Sequence, residues 1–310
     1  MAHAFHEGER AVQARAGEAA IAVRNASVIT DTVIAGARPF IEKQVMVATA
    51  TRNEGGQLWA SLLFGPPGFL RSPEGRSIEL STSLAPRQAD DPFWQELDLG
   101  SRAGLLFIEL STRRRYRVNG RVEQLDDQQI RVAIDEAYPN CPKYIQRRHP
   151  HAPAGDAQRA EPSSVWRGQD LDEASAALLG AADTLFIASG APGGSLDASH
   201  RGGPAGFIER LTPRRLRVPD YAGNSLFNTL GNFTLDPACG LVVPDFATGR
   251  LLHLTGRAQL FWDQADPQGL TGGTGRFWEF EIEEWLLREH AMALSWEFLD
   301  ASPFNPKVTA

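Results

Sequence analysis

The stretch DASHRGGPAGF, Asp197 to Phe207, decides how this chain is read. It lies between two runs with the composition of buried strands, and it has a counterpart in WASLLFGPPGF, Trp59 to Phe69. Laid together, Ser61 falls on Ser199, while Pro66, Gly68 and Phe69 fall on Pro204, Gly206 and Phe207. A second match follows at nearly the same offset. AGLLFIELSTRRRYRVNGRV, from Ala103, lies on CGLVVPDFATGRLLHLTGRA, from Cys239, with Gly104 on Gly240, Gly120 on Gly256 and Arg121 on Arg257. Two matches in the same order mean that one structural unit occurs twice.

Each copy reads as short strands with Gly-rich turns. KQVMVATA and QLWASLLFG flank NEGG, and DTLFIASG and SLDASHRGG flank APGG, which predicts hairpins. The pairs AGLLFIEL with RYRVNGRVEQL and CGLVVPDF with RLLHLTGRAQLFW, each joined by a polar turn, predict two more. The fold class is therefore mainly β with short helices (α+β), two antiparallel barrels in tandem rather than a doubly wound sheet. A helix is expected over LDEASAALLGAAD, 171–183, with Asp170 and Glu173 as a capping pair. RFWEFEIEEW reads as an outer strand with one wet face. The Pro-, Ala- and charge-rich 148–168 reads as a linker between a first unit, 1–147, and a second, 169–310.

Bulk properties narrow the function. The 310 residues are 42% hydrophobic and 22% charged, with a net charge of −7, which argues against a general nucleic-acid or anionic-membrane partner. The basic run Arg113, Arg114, Arg115 and Arg117 reads as the solvated end of a strand, offset by Glu109 and Glu123. Two cysteines without metal-ligand spacing and the lack of a long apolar run favour a reducing cytoplasm. His3 with His6, and His149 with His151, have no third ligand nearby, so no metal site is expected.

Ser199 and His200 are neighbours on a strand and point to opposite faces, which disfavours a nucleophile and base pair. An anion site accounts better for the run. A phosphomonoester wants an arginine fork, backbone N–H groups beside glycine, and neutral donors. Arg201, Gly202 and Gly203 supply the first two. VPDYAGNSLFNTLGNFTLDP supplies the third through Asn224, Ser225, Asn228 and Asn232, with a helical turn expected over Asn224 to Leu230 whose N-terminus faces the same anion. His253, inside an apolar strand, reads as a core residue.

SHRGGPAGF, VPDYAGNSLFNTLGNFTLDPACGLVV and LHLTGRAQL, together with FHEGERAVQARAG, ARPFIEKQ, NCPKYIQRR and SPFNP, resemble the pyridoxamine 5'-phosphate oxidase-like FMN-binding split-barrel proteins, in their long two-unit variety. The resemblance implies Greek-key barrels with FMN between two of them, completed within one chain or across a homodimer. Carried over, Ser199, His200 and Arg201 with Gly202 and Gly203 would lie beside the flavin. Asp220, Tyr221, Asn224, Asn228 and Asn232 would frame its phosphate or ribityl chain. Arg257 would face the pyrimidine side, and Lys143 would fold over the cofactor from the other unit. The implied function is an FMN-dependent oxidoreductase acting on a small molecule, with NAD(P)H or the substrate delivering a hydride. The alternative is a flavin or haem carrier or redox sensor without turnover. Where the second unit has Ser199-His200-Arg201-Gly202-Gly203, the first has Ser61-Leu62-Leu63-Phe64-Gly65, so one FMN per chain is expected, with the first unit as wall and lid.

Overall fold

The computed structural model describes residues 4–85, 87–151, 164–292 and 294–308. The first copy of the repeat forms β1 (Met46–Arg52), β2 (Leu58–Phe64), β3 (Leu70–Arg71), β4 (Ser77–Ser81), β5 (Arg102–Glu109), β6 (Arg114–Leu125) and β7 (Gln129–Asn140). Between the copies lie β8 (Arg147–His151) and β9 (Val165–Gly168). The second copy forms β10 (Thr184–Gly190), β11 (Leu196–Gly202), β12 (Glu209–Thr212), β13 (Arg215–Pro219), β14 (Ala238–Asp245), β15 (Arg250–Phe261) and β16 (Phe277–Arg288), and β17 (Ser295–Asp300) follows. The sheet orders are β2-β1-β5-β6-β7-β4-β3 and β11-β10-β14-β15-β16-β13-β12, the same path twice. All four predicted hairpins pair antiparallel, and the scaffold serines hold matching places: Thr49 pairs with Ser61, and Ile187 with Ser199.

Each sheet closes on its own core, Phe69, Phe107 and Val118 in one and Leu254, Trp278 and Phe280 in the other. A third core joins them. Leu58, Leu62 and Leu106 of the first unit pack with Phe186, Leu196 and Val242 of the second. This is why β1 and β10 are buried along nearly their whole length: one face fills a barrel and the other fills the joint. The repeated glycines mark that joint. A Cβ on Gly104 of β5 would sit 2.6 Å from the Leu196 carbonyl oxygen of β11, and one on Gly240 of β14 would sit 2.5 Å from that of Leu58 in β2. Only glycine permits these two reciprocal backbone contacts.

Helices α1 (Glu7–Arg15), α2 (Ala19–Asn25), α3 (Arg38–Glu42) and α4 (Pro92–Glu96) belong in sequence to the first unit; α5 (Glu173–Ala181) and α6 (Asn228–Leu235) belong to the second. In space α1 crosses over and packs on α6. Several expectations are corrected. Helix α5 is capped by Asp172, which accepts from Ser175 N at 2.7 Å, not by Asp170. The RFWEFEIEEW strand alternates as predicted, but β16 is interior, between β15 and β13, because its dry face is needed inside the barrel. The 148–168 stretch begins and ends in paired strands, β8 on β17 and β9 on β16; residues 152–163 of it lie outside the described residues.

Candidate functional site

Where β6 of the first unit meets β11 of the second, the joint opens into a cleft. The first unit lines it with Arg115, Arg117, Asn140, Cys141, Lys143 and Tyr144. The second contributes Ser199 to Gly202, Asp220 and Tyr221, and the run from Asn224 into the first turn of α6. Strand alternation puts Arg115 and Arg117 on one face of β6, and the approach of β11 turns that face into an interior.

The arginines differ in their partners. Arg117 is buried and engaged through both terminal nitrogens: it donates to Asp197 Oδ1 at 2.9 Å, to Tyr138 Oη at 3.0 Å and to Ser199 Oγ at 2.5 Å. Arg115 donates to the Cys141 carbonyl at 2.6 Å, and Arg201 to the His200 carbonyl at 3.2 Å. Lys143 lies 5.6 Å over the Phe304 ring. Among the described residues, no carboxylate lies within ion-pair distance of Arg115, Arg201 or Lys143. Burial, reinforced by Arg201 and Arg117, pulls Arg115 down to about 9; burial also lowers Arg201. Among the described residues, three cations thus share the cleft without an ion-pair partner, beside the N-terminus of an eight-residue helix.

His200 is buried, and burial together with Arg115, Arg201 and Arg148 lowers its pKa well below the usual imidazole value. It is a neutral ring. Arg115 can only donate, and it approaches Nδ1 at 3.4 Å, which places the ring proton on Nε2, an atom with no partner among the described residues. Across the cleft Tyr144 and Tyr221 stand with ring centroids 4.7 Å apart, Tyr144 donating to the Ala222 carbonyl at 3.0 Å.

The equivalent place on the other side of the joint is filled. Leu62 takes the position of His200 and Leu251 that of Arg115, both within the shared apolar core. His253, which corresponds to Arg117, donates from Nδ1 to the Ala60 carbonyl, 2.9 Å away. Arg288 and Asp91, both buried, pair there at 2.5 Å.

Residues 35–165 match the family model of pyridoxamine 5'-phosphate oxidase. The strand order of that unit recurs in the second. The matched stretch is a pyridoxamine 5'-phosphate oxidase-like split barrel. Among solved structures it is similar to a candidate pyridoxamine 5'-phosphate oxidase from Lactobacillus delbrueckii, at 15% identity over 38% of this chain and 94% of that one, with a TM-score of 0.30. A Clostridium acetobutylicum protein of the pyridoxinephosphate oxidase family, related to general stress protein 26, matches at 11% over 42% and 97%, TM-score 0.30. HupZ of Group A Streptococcus matches at 9% over 36% and 90%, TM-score 0.29. No curated protein matches the sequence. In this split-barrel chain the matched stretch is the unit without the SHRGG run.

Of the residues singled out from the sequence, the cleft brings together Lys143, Ser199, His200, Arg201, Gly202, Asp220, Tyr221, Asn224 and Asn228. Three are placed elsewhere. Arg257 is exposed on β15, away from the cleft, because alternation sends it outward. Asn232 is buried behind the wall, donating to Asp197 Oδ2 at 2.7 Å and Ser189 Oγ at 3.0 Å. Gly203 is scaffold: its missing Cβ makes room for Phe207, as that of Gly65 does for Phe69, and its N–H goes to the Asp183 carbonyl at 3.1 Å. Gly202 serves a close approach rather than a free N–H, since a Cβ there would lie 2.1 Å from the Tyr144 carbonyl oxygen. The helical turn begins at Asn228, four residues later than expected, after left-handed Ser225 and Phe227. Asp220 is committed to Arg276, at 2.9 Å.

Sequence reading missed Arg115, Arg117, Tyr144 and Cys141 as cleft residues. The run read as a solvated strand end is divided by alternation: Arg114 is exposed, whereas Arg117 is buried. The i, i+2 spacing of Arg115 and Arg117 in RYRVN was the available signal. The first unit is accordingly more than wall and lid, for it supplies two of the three unpaired cations.

Proposed function

We propose that the cleft binds FMN and that the protein is a flavin-dependent oxidoreductase acting on a small molecule. The observation that carries the reading is the set of unpaired cations, Arg115, Arg201 and Lys143, in one cleft between two split barrels. A phosphate group supplies the missing counter-charge, and it accepts charge-assisted hydrogen bonds from guanidinium forks. The neutral His200 Nε2–H, with no partner of its own, suits an acceptor such as a carbonyl or ring nitrogen. Tyr144, Tyr221 and Phe227 give the cleft the aromatic surface a planar ring system needs. When bound, the flavin supplies the hydride chemistry, so the chain's tasks are to orient it, neutralise it and exclude water.

The test is titration with FMN followed by chemical reduction. Binding near one flavin per chain, bleaching by NAD(P)H and recovery in air support the reading. A ratio near two contradicts the single-site assignment, and stable colour without reduction by any donor contradicts the oxidoreductase. Protein that takes up no FMN overturns the whole.

A further inference from the structure

The N-terminal segment FHEGERAVQARAG, Phe5 to Gly17, supplies nothing to the lining of the cleft, yet it is bound to the back of its wall. Helices α1 and α6 cross in backbone contact: a Cβ on Gly8 would lie 2.3 Å from Gly231 O, and one on Gly231 2.6 Å from Glu9 Cα. At that crossing Glu9 is only 5% exposed. Its Oε1 accepts from Asn228 Nδ2 at 2.5 Å, and its Oε2 accepts from the His6 N–H at 2.9 Å. Gln13 Nε2 donates to Leu226 O at 3.0 Å, Asn25 Nδ2 to Asn224 O at 2.7 Å, and Ser225 Oγ to Glu18 at 2.6 Å. All four attachments end on residues 224–228, where Ser225 and Phe227 hold left-handed φ values of 66° and 61°. Such a conformation persists only where its surroundings over-determine it.

We propose that Glu9 is a positioning residue for the anion site: from α1 it fixes Asn228 and the 224–228 wall, and its charge state is coupled to occupancy of the cleft. This rests on the FMN reading above. Behind the wall Glu9 faces Asp197 of β11 and Glu136 of β7, and Asp197 in turn holds Arg117 of β6, with His6 at the start of its own helix and Glu7 and Arg10 also on α1. Asp197 takes the charge of Arg117, and Asn119 and Asn232 donate to it as well. Among the described residues that leaves Glu9 no Lys or Arg within ion-pair distance, only the His6 ring at 3.5 Å, whose pKa burial lowers. Burial, then Asp197, push Glu9 up to about 8, so at neutral pH it is a neutral carboxyl and puts no negative charge behind an anion site.

An anion entering the cleft disfavours ionisation of Glu9 further, so its pKa in the bound state is above that in the free state. Affinity is then complete below the free value, falls as pH rises through the bound value, and levels off. Arg115 also titrates in the alkaline range from the cleft side, so the informative quantity is the difference between proteins.

FMN affinity is measured by flavin fluorescence from about pH 7 to about pH 9 for wild type, Glu9→Gln and Asn228→Ala, with proton uptake by calorimetry in two buffers of different ionisation enthalpy. Glu9→Gln mimics the neutral carboxyl. It is expected to bind within about twofold of wild type at the low end, while wild type loses roughly threefold to tenfold more across the range. Proton uptake near about pH 8 is expected in wild type and absent in Glu9→Gln. Asn228→Ala, which cuts the link but leaves Glu9, is expected to weaken binding at every pH and to shrink the difference. Equal pH profiles and equal proton uptake in wild type and Glu9→Gln overturn the coupling. If Glu9→Gln does not fold, wild type decides alone, and no proton uptake on binding overturns it. If wild type binds no FMN at all, the FMN reading falls, and the comparison is repeated with inorganic phosphate. A surviving pH difference then keeps the coupling, and none removes it.

Discussion

Replacing Arg115 by alanine should weaken FMN binding without weakening the unliganded protein. In the free cleft the guanidinium has one good hydrogen bond, to Cys141 O at 2.6 Å, and only distant contacts of 3.4 Å to His200 Nδ1 and O. Its loss costs about 1 kcal/mol of hydrogen bonding. Against that, the variant removes a desolvated cation repelled by Arg201 and Arg117, so the two effects nearly cancel. A phosphate changes the balance, because a charge-assisted hydrogen bond contributes about 1.5–3 kcal/mol. That corresponds to a loss of about 10- to 150-fold in FMN affinity. Arg115→Lys should recover part of it, since charge returns but the planar fork does not. The assay pairs a flavin-fluorescence titration with thermal unfolding, each with and without FMN. Unchanged affinity would refute the assignment of Arg115 to the phosphate. An equal fall in affinity and in the stability of the free protein would show that Arg115 is a structural residue instead.

Arg201→Ala should weaken FMN by a similar 1.5–3 kcal/mol, about the same range as Arg115, measured by the same titration. Arg288→Ala should cost about 3–5 kcal/mol of stability by leaving Asp91 buried and unpaired. Because that pair lies at the filled side of the joint, FMN affinity measured on the folded fraction should stay constant. Gly104→Val should force β5 away from β11, where a Cβ meets Leu196 O at 2.6 Å and Ala198 N at 2.7 Å. Increased proteolysis together with lost FMN binding is the expected outcome; retention of both would mean that the joint does not build the cleft. Burial holds His253 down at about 4, and burial lowers His200 in the same direction. Both are neutral when folded and take up protons when unfolded. Stability should therefore fall as pH drops from about 6.5 towards about 4, and His253→Gln should make the slope shallower in denaturant titrations.

The amino-acid order alone carries the repeat, the hairpins and the mainly β class, because these rest on local chemistry: glycine at turns, alternation along strands and a unit copied in order. It also placed Ser199, His200, Arg201 and Asn228 in one site, since one strand and one helix start lie close along the chain. The remaining members depended on contacts between units. Whether the Arg115 and Arg117 face of β6 met water or protein could not be read from RYRVN, because alternation gives a face and not its neighbour. The tertiary structure decided it through the shared apolar core, in which the outer faces of β1, β2, β10 and β11 cover one another and bring β6 against β11. The same packing sealed the mirror position with Leu62 and Leu251 and sent Arg257 to solvent. Period-two patterning is local, whereas the partner of each face is set by burial across units, and that is why a repeated sequence left the joint open on one side and filled on the other.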